Sequence, residues 1–263
     1  MKRAFVDHNV WGEKEIHLSA EESHHLLTVL RARPGDEIEI FDGRGRTARA
    51  ELDSFRKKIA RIKIRPADIR RVEAPVPALI LFQAIPKHSG MEAIIQKATE
   101  LGVRKIVPVM TERVVVKLNN SVAGERVERW RKIALASVKQ CQAAWLPEVT
   151  RIAPLAEAVA CDQSDLKIFG SLASHDRRSG LASHAPGFRE FLGKVDRSSI
   201  NSIAIVIGPE GDLSGEEQRL LTAAKFQPVS FGEEVLRVET AAIFGLSVLK
   251  YEFPRCPDKS GPR

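Results

Sequence analysis

Apolar and polar residues alternate with a period of two through much of the first 65 residues. Three runs share this pattern and predict β-strands: Glu37–Phe41, Thr47–Leu52 and Ile59–Ile64. Before them, Ser19-Ala-Glu-Glu22 has the form of a capping box and predicts a short helix through Leu30, which Pro34-Gly35 ends. We therefore expect a small strand-rich unit, an architecture that suits RNA binding but also serves purely structural roles.

From about residue 78 the pattern changes to strands that alternate with helices, after a linker marked by Pro66, Pro75 and Pro77. The predicted strands are Leu79–Phe82, Lys105–Val109, Leu166–Phe169, Ile203–Ile207 and Val229–Phe231. The predicted helices are Met91–Leu101 (ended by Gly102), Gly124–Cys141 and Val238–Tyr251. This order predicts a mostly parallel sheet with helices on both faces. The segment 171–187, rich in Ser, His and Gly, is expected to be a mobile loop.

The stretch Ile203–Glu217 carries the most specific local signal. A β-branched apolar run ends at Ile207, and Gly208 and Gly211 then allow a sharp turn and a close approach to a ligand. A capping box, Ser214 with Glu217, starts a helix directly afterwards. Open α/β sheets bind small ligands at such strand-to-helix turns.

A second polar-decorated loop, Phe231–Ala242, joins the last predicted strand to the last helix. Two loops at the carboxyl ends of strands in one sheet can converge on one pocket, and their backbone N–H groups suit a nucleotide-like ligand. The spacing matches neither a P-loop nor a G-x-G-x-x-G fingerprint. The two loops together predict a cofactor site of another kind.

Composition narrows the class of protein. The chain has 263 residues, 43% of them hydrophobic and 29% charged, which is typical of a globular protein. It contains no apolar run of membrane-spanning length and no secretory signal, so we expect no membrane partner and a cytoplasmic location. The three cysteines are widely spaced, which argues against a disulfide framework and a zinc site. His24-His25 favours packing or phosphate contact over metal binding.

The charge is concentrated in one segment. The net charge is +7, and between Arg31 and Arg71 there are 13 Lys and Arg residues against 7 Asp and Glu residues. A solvated basic face is the alternative, but this local surplus favours a nucleic-acid partner. The candidate RNA-binding residues are Arg31, Arg33, Arg44 and Arg46.

Several of these segments resemble one family. GPEGDLSGEE followed by VLRVETAAIFGLSVL is similar to the C-terminal signature of SPOUT methyltransferases, specifically the RsmE family of rRNA uridine N3-methyltransferases. Met91–Val103 after Pro86-Lys87, His25–Arg31 with Pro34–Asp36, and Lys139–Cys141 with Leu146–Glu148 resemble further segments of that family. The matches span nearly the whole chain in the family's order.

The resemblance implies a fold and a cofactor. It implies an α/β trefoil-knot domain over residues 71–253, a PUA-like β-barrel over residues 1–70 and a tail over residues 254–263, acting as a homodimer. The implied cofactor is S-adenosylmethionine, with no metal. The residues expected to bind it are Ile207, Gly208, Gly211, Phe231, Gly232, Val235, Leu236 and Thr240.

The implied activity is methylation of N3 of a uridine in 16S rRNA of the small ribosomal subunit. Because N3 carries an imide proton, a carboxylate or a cation near the base should assist. Glu210 is the candidate for orientation or proton acceptance, and Arg237 for stabilising the developing oxyanion. Structural alternatives are that Glu210 caps backbone N–H groups and that Arg237 pairs with Glu239 or Glu233.

Two departures from the family pattern stand out. Asp212 occupies a position where many members have glycine, and the residues Gln142–Trp145 lack an arginine that many members have. Trp130 and Trp145 could stack on a base or pack in a core or dimer interface. Two other functions stay open: a non-catalytic RNA-binding or ribosome-assembly protein, and a methyltransferase that acts on tRNA.

Overall fold

The computed structural model describes residues 1–254 apart from 12, 14, 88–89, 114–119 and 172–184. The expected mobile loop at 171–187 and the tail beyond 254 lie mainly or wholly outside these described residues. The chain divides into two compact units: Met1–Ala74 with Val138–Leu146, and Pro75–Ser137 with the chain from Pro147 onward. The sequence predicts a single boundary near residue 70. The segment Val138–Leu146, which belongs to the first unit, is missed by that prediction.

The first unit is built on a six-stranded sheet. Its strands are β1 (Lys2–Phe5), β2 (Glu15–His17), β3 (Glu37–Phe41), β4 (Arg46–Arg56), β5 (Ile59–Ile64) and β6 (Arg70–Arg71). Their order is β1-β3-β4-β5-β2, with β6 beside β4, and only the β1–β3 pairing is parallel. The three strands predicted from alternation are confirmed, and the buried member of each pair faces an aliphatic core that contains Ile38, Leu52 and Ile62.

A short helix, α1 (Ala20–His24), follows Ser19, whose hydroxyl accepts the N–H of Glu22 at 3.2 Å. The prediction that the Glu22 carboxylate completes the capping box by accepting the N–H of Ser19 is wrong. The buried Glu22 carboxylate instead accepts the N–H of Phe5 at 3.0 Å and pairs with the ammonium of Lys139. A buried carboxylate needs a countercharge, and a cation 117 residues away supplies it.

A buried arginine fastens the segment Val138–Leu146 into the first unit. Arg3 Nε donates to Glu39 at 2.7 Å, and its Nη1 donates to the carbonyls of Val138 and Ala143 at 2.8 and 2.9 Å. The same guanidinium lies over the ring of Phe41. One side chain therefore satisfies two carbonyls at the end of a long helix, where no backbone partner is available.

The second unit contains a sheet in which every pairing is parallel, as predicted. Its strands are β7 (Ala78–Ala84), β8 (Lys105–Met110), β9 (Glu148–Val149), β10 (Ala153–Pro154), β11 (Leu166–Gly170), β12 (Ser202–Ile207) and β13 (Gln227–Val229). The order is β10-β8-β7-β12-β11-β13, with β9 also beside β8. The sequence predicts the last strand over Val229–Phe231, but the strand lies at Gln227–Val229.

Helices cover both faces of this sheet, as predicted. They are α2 (Gly90–Glu100), α3 (Asn120–Cys141), α4 (Leu155–Ala160), α5 (Phe188–Leu192), α6 (Gly215–Ala223) and α7 (Val238–Glu252). Helices α4 and α6 share one core with Ala204 and Val206 of β12. Helix α7 covers the opposite face, since a Cβ added at its Gly245 would lie 2.6 Å from the side chain of Ile205.

The buried role of Arg3 gives a stability prediction. Arg3→Met should destabilise the protein by about 3 kcal/mol, because it leaves Glu39 and two carbonyls without their donor. The matched control is Arg49→Ala on the same sheet, where both partners of the Arg49–Glu37 pair are more than half exposed. That change should cost no more than about 0.5 kcal/mol. Urea denaturation measures both, and equal losses would contradict the anchoring role of Arg3.

Candidate functional site

The site lies where three neighbouring strands of the parallel sheet end. In the pairing register, Phe169 of β11 lies beside Val206 of β12, and Gly170 lies beside Val229 of β13. Because the strands are parallel, the loops after Gly170, Ile207 and Val229 leave from the same edge of the sheet. These loops surround one pocket, at the position where α/β sheets bind ligands.

The pocket is open to solvent, and the space between its walls amounts to about 570 Å³ when the adjoining open solvent is included. Seven predicted site residues line it: Ile207, Gly208, Glu210, Phe231, Gly232, Val235 and Leu236. Three others, Gly211, Arg237 and Thr240, are not among the described lining residues. The lining also includes Gly170, Ser171, Pro209, Asp212, Glu234, Val238 and Ala241, which were not among the residues expected to bind the cofactor. Gly170 had a signal, since it directly follows the predicted strand that ends at Phe169.

Glycine is favoured at two positions in the wall. Gly232 has φ +132°, which a residue with a Cβ rarely adopts. A Cβ at Gly170 would lie 3.1 Å from the ring of Phe231, which itself stacks on Phe188 with ring centroids 5.0 Å apart. The wall therefore combines exposed backbone groups with a fixed aromatic surface, the combination that an adenosine-like ligand requires.

The turn after β12 is held by the loops after β7 and β8. Glu210 Oε1 accepts the backbone N–H of Lys87 at 2.9 Å, and the guanidinium of Arg113 donates to the carbonyl of Gly211. Below the turn, Ser214 and Glu217 form the predicted capping box, and Glu217 also accepts the N–H of Glu112 at 2.8 Å. The pocket loop is thus fixed from outside by groups that the sequence separates widely.

Asp212 adopts φ +60°, in the left-handed region. Its Oδ1 accepts the N–H of Leu213 at 2.8 Å, which stabilises this conformation locally. The chain therefore keeps the backbone geometry that a glycine would provide, and it adds a carboxylate to the pocket lining.

Arg237 is the N-cap residue of α7, and its side chain is exposed. Among the described residues its guanidinium has no ion-pair partner, so the pairs with Glu239 and Glu233 that the sequence allowed are absent. Glu210, by contrast, does bond a backbone N–H, but one in a different loop from its own. Arg237 is therefore a cation available for a ligand, while one oxygen of Glu210 is already engaged.

The four predicted RNA-binding arginines lie on the first unit. Arg31, Arg33 and Arg44 are exposed, and Arg46 Nε lies 3.9 Å from Asp42. The aromatic candidates have structural roles. Trp130 is buried, and the indole N–H of Trp145 donates to the carbonyls of Val72 and Glu73 at 3.0 and 2.9 Å.

His24 is the last residue of α1 and His25 follows it. Burial and then the nearby Lys139 ammonium lower the pKa of His25. Within the described part of the chain, no group of three or more His, Cys, Asp and Glu side chains could hold a metal ion. None of the helices described there is long and apolar enough to cross a membrane.

Comparisons with known proteins agree with this geometry. A family model described as an RNA methyltransferase domain matches residues 72–250, and one described as an RNA methyltransferase PUA domain matches residues 18–65. The chain is 30% identical over 236 residues to ribosomal RNA small subunit methyltransferase E of Bacillus subtilis (strain 168), with 89% of each chain covered. It is also similar to the structure of a ribosomal RNA small subunit methyltransferase E of Neisseria gonorrhoeae bound to S-adenosylmethionine. The two chains are 28% identical, the TM-score is 0.81, and the match covers 95% of this chain and 97% of that chain. A Legionella pneumophila methyltransferase structure with bound S-adenosylmethionine has 30% identity and a TM-score of 0.81, over 95% of this chain and 96% of that chain.

Proposed function

The chain belongs to the ribosomal RNA small subunit methyltransferase E family of RNA methyltransferases, and from this premise we propose that it methylates N3 of a uridine in 16S rRNA with S-adenosylmethionine as methyl donor. The observation that carries the proposal is the pocket that two glycine-containing loops form at the carboxyl edge of the parallel sheet. Relatives with that fold are bound to S-adenosylmethionine in solved structures. We also propose a cytoplasmic location, because ribosomal RNA is the proposed substrate.

The pocket residues fit this cofactor. The backbone at Gly208 and Gly232 offers polar groups without side chains in the way, while Leu236 and Phe231 supply an apolar surface for an adenine ring. When bound, S-adenosylmethionine supplies an electrophilic methyl group on a sulfonium. The chain's own contribution is to hold the two reactants in line, which removes much of the entropic barrier.

Two side chains are assigned separate roles. The Arg237 guanidinium, exposed and without a partner among the described residues, stabilises the negative charge that develops on uracil as its N3 proton passes to water. Glu210 maintains the pocket turn through the N–H of Lys87, which favours a positioning role over proton acceptance. Uracil N3 lies on the Watson–Crick edge, so the target nucleotide must be unpaired or extruded.

We further propose the trefoil knot for the α/β domain, the PUA-like barrel for the N-terminal unit, and a homodimer. The outer side of α7 supports the dimer, since Phe244 and Tyr251, seven residues apart, are 39% and 80% exposed. Phe244 also contacts the rings of Phe188 and Phe231, so Tyr251 is the more exposed of the two aromatic groups that a partner could cover. Light scattering should give twice 29.2 kDa, and a monomer mass would reject the dimer.

The alternative of a non-catalytic RNA-binding protein predicts no affinity for S-adenosylmethionine. The alternative of a tRNA methyltransferase predicts that tRNA is methylated when tRNA and rRNA compete as substrates. The names of the relatives favour the small-subunit rRNA.

The activity itself is tested with labelled S-adenosylmethionine and small subunits that lack the modification. We expect N3-methyluridine in the nucleoside digest of 16S rRNA, and none when tRNA replaces the subunits. A digest without labelled N3-methyluridine would reject the reaction, and label in another nucleoside would reject the assigned atom.

The cofactor pocket is tested by Gly232→Ala. The added Cβ forces the backbone away from φ +132°, so S-adenosylmethionine affinity should fall by at least about tenfold in calorimetry. The matched control is Gly215→Ala in the first turn of α6, where an added Cβ meets nothing within 4 Å. That variant should bind like the unchanged protein. Equal affinity in all three proteins would remove the pocket from the mechanism.

The two side-chain roles are separated kinetically. Arg237→Gln should lower kcat by about a hundredfold with little change in cofactor affinity, because it removes an interaction specific to the transition state. Glu210→Gln keeps an oxygen that can accept the N–H of Lys87 and should retain most activity, whereas Glu210→Ala should weaken cofactor binding. If Glu210→Gln loses as much kcat as Arg237→Gln, Glu210 is the proton acceptor and the positioning assignment is wrong.

A further inference from the structure

Six residues other than glycine adopt a positive φ in the described part of the chain: Arg31, Lys57, Lys58, Gln142, Asp212 and Lys225. Such a conformation is costly for side chains with a Cβ, and it persists only where other interactions compensate or where function requires it. Each of the six can therefore be examined for a local reason.

Four of them have one. Gln142 and Lys225 lie within two residues of the ends of α3 and α6, and Arg31 lies two residues after the helical turn His25–Val29 that continues α1; a left-handed residue closes a helix at such positions. At Lys225 a cation is also favourable beside the last carbonyls of α6. Asp212 bonds its neighbour's N–H with its own carboxylate. The other two, Lys57 and Lys58, lie in a hairpin turn whose geometry requires a positive φ but which favours Asn and Gly over lysine.

These two lysines form the two-residue loop of the β4–β5 hairpin, which is closed by the pairing of Arg56 with Ile59. Their φ values, 49° and 67°, are both positive, as a type I′ turn requires. Asn-Gly is the sequence that such a turn prefers. The chain instead carries consecutive lysines there, against the backbone preference.

The charges at this turn are also uncompensated. Arg56, Lys57 and Lys58 are exposed, and none has an ion-pair partner among the described residues. We call these three residues the hairpin tip. The acid nearest in sequence, Asp53, lies at a β-bulge and bonds Lys63 and Arg61. Hydrogen bonds from Lys63 and then Arg61 hold the pKa of Asp53 well below its usual range. The carboxylate of Asp53 therefore neutralises Lys63 and Arg61 and not the hairpin tip.

We propose that the hairpin tip is a phosphate-contacting element for the RNA substrate, and that its lysines supply charge at the expense of turn stability. The inference rests on the proposed function for the nature of the partner. Two adjacent cations in the turn and a third at the end of β4 are exposed together, so they can approach a phosphate backbone. Such contacts position RNA and carry no base specificity.

The test compares Lys57→Asn/Lys58→Gly with the unchanged full-length protein, using 16S rRNA transcribed in vitro as the probe. The variant should unfold at a temperature higher by about 2 °C or more, because its turn is now unstrained. Its affinity for the transcript should fall by about tenfold at 0.15 M salt. The slope of log affinity against log salt should decrease by about 1.5, as expected for two lost phosphate contacts.

Three further variants isolate the cause. Lys57→Arg/Lys58→Arg keeps the charges and should bind the transcript like the unchanged protein. Lys57→Gln/Lys58→Gln removes the charges without relieving the turn and should lose affinity without gaining stability. Lys225→Gly relieves a left-handed lysine in the second unit and removes one charge, and it should leave RNA affinity unchanged.

An unaltered salt slope and affinity in both charge-removing variants would overturn the hairpin-tip proposal, whatever their stability. That result is distinct from failure of the proposed function, which would appear as absence of N3-methyluridine with the unchanged protein. If the charge-removing variants lose affinity but Lys225→Gly loses it equally, net charge alone explains the effect and the hairpin tip has no special role.

Discussion

The parallel alignment of β11, β12 and β13 is the constraint on which the site depends. Parallel strands place all their carboxyl ends at one edge, so Gly170, Ile207 and Val229 release their loops side by side. A shift of one strand by one residue would move each of its side chains to the opposite face of the sheet and displace its loop from the pocket. The fully buried residues of β12, Ile203–Val206, resist such a shift because both faces of the strand are covered.

At this edge of the sheet, polar contacts between loops fix the conformation of the pocket loop. The turn after β12 contains groups that could face a ligand, but its outer side bonds the loops after β7 and β8 through Glu210, Gly211 and Glu217. Holding a binding loop from outside leaves its inner backbone free, which is how a pocket can be organised before its ligand arrives. Asp212 contributes to the same end, since its carboxylate supports its own left-handed backbone.

The many cations of the chain divide into two groups with different physics. Arg3 and Lys139 are buried or nearly so and neutralise Glu39 and Glu22, and they fasten the segment Val138–Leu146 to the first unit. Arg33, Arg44 and the hairpin tip are exposed and remain available to an anionic partner. A count of positive charge by itself does not separate these groups, because burial and partners decide which cations are free.

Much of the architecture followed from the sequence alone, because its signals are local. Period-two alternation located β3, β4 and β5, and apolar runs with Gly102 and Ser214 located the ends of helices and strands of the second unit. The two glycine loops also identified most of the pocket lining, since parallel strands bring their carboxyl ends together. These inferences needed only neighbouring residues and the general geometry of parallel sheets.

Tertiary structure decided what depends on a distant partner. The sequence predicts Glu22 as a capping residue, but in the folded chain it is buried and pairs with Lys139. The sequence also allows Trp145 to stack on a base, but its indole N–H donates to the carbonyls of Val72 and Glu73. The contact of Glu210 with Lys87 spans 123 positions, and that of Gly211 with Arg113 spans 98. No local pattern encodes such pairs, because a hydrogen bond forms only where the folded chain has brought donor and acceptor together and excluded the water that would otherwise satisfy them.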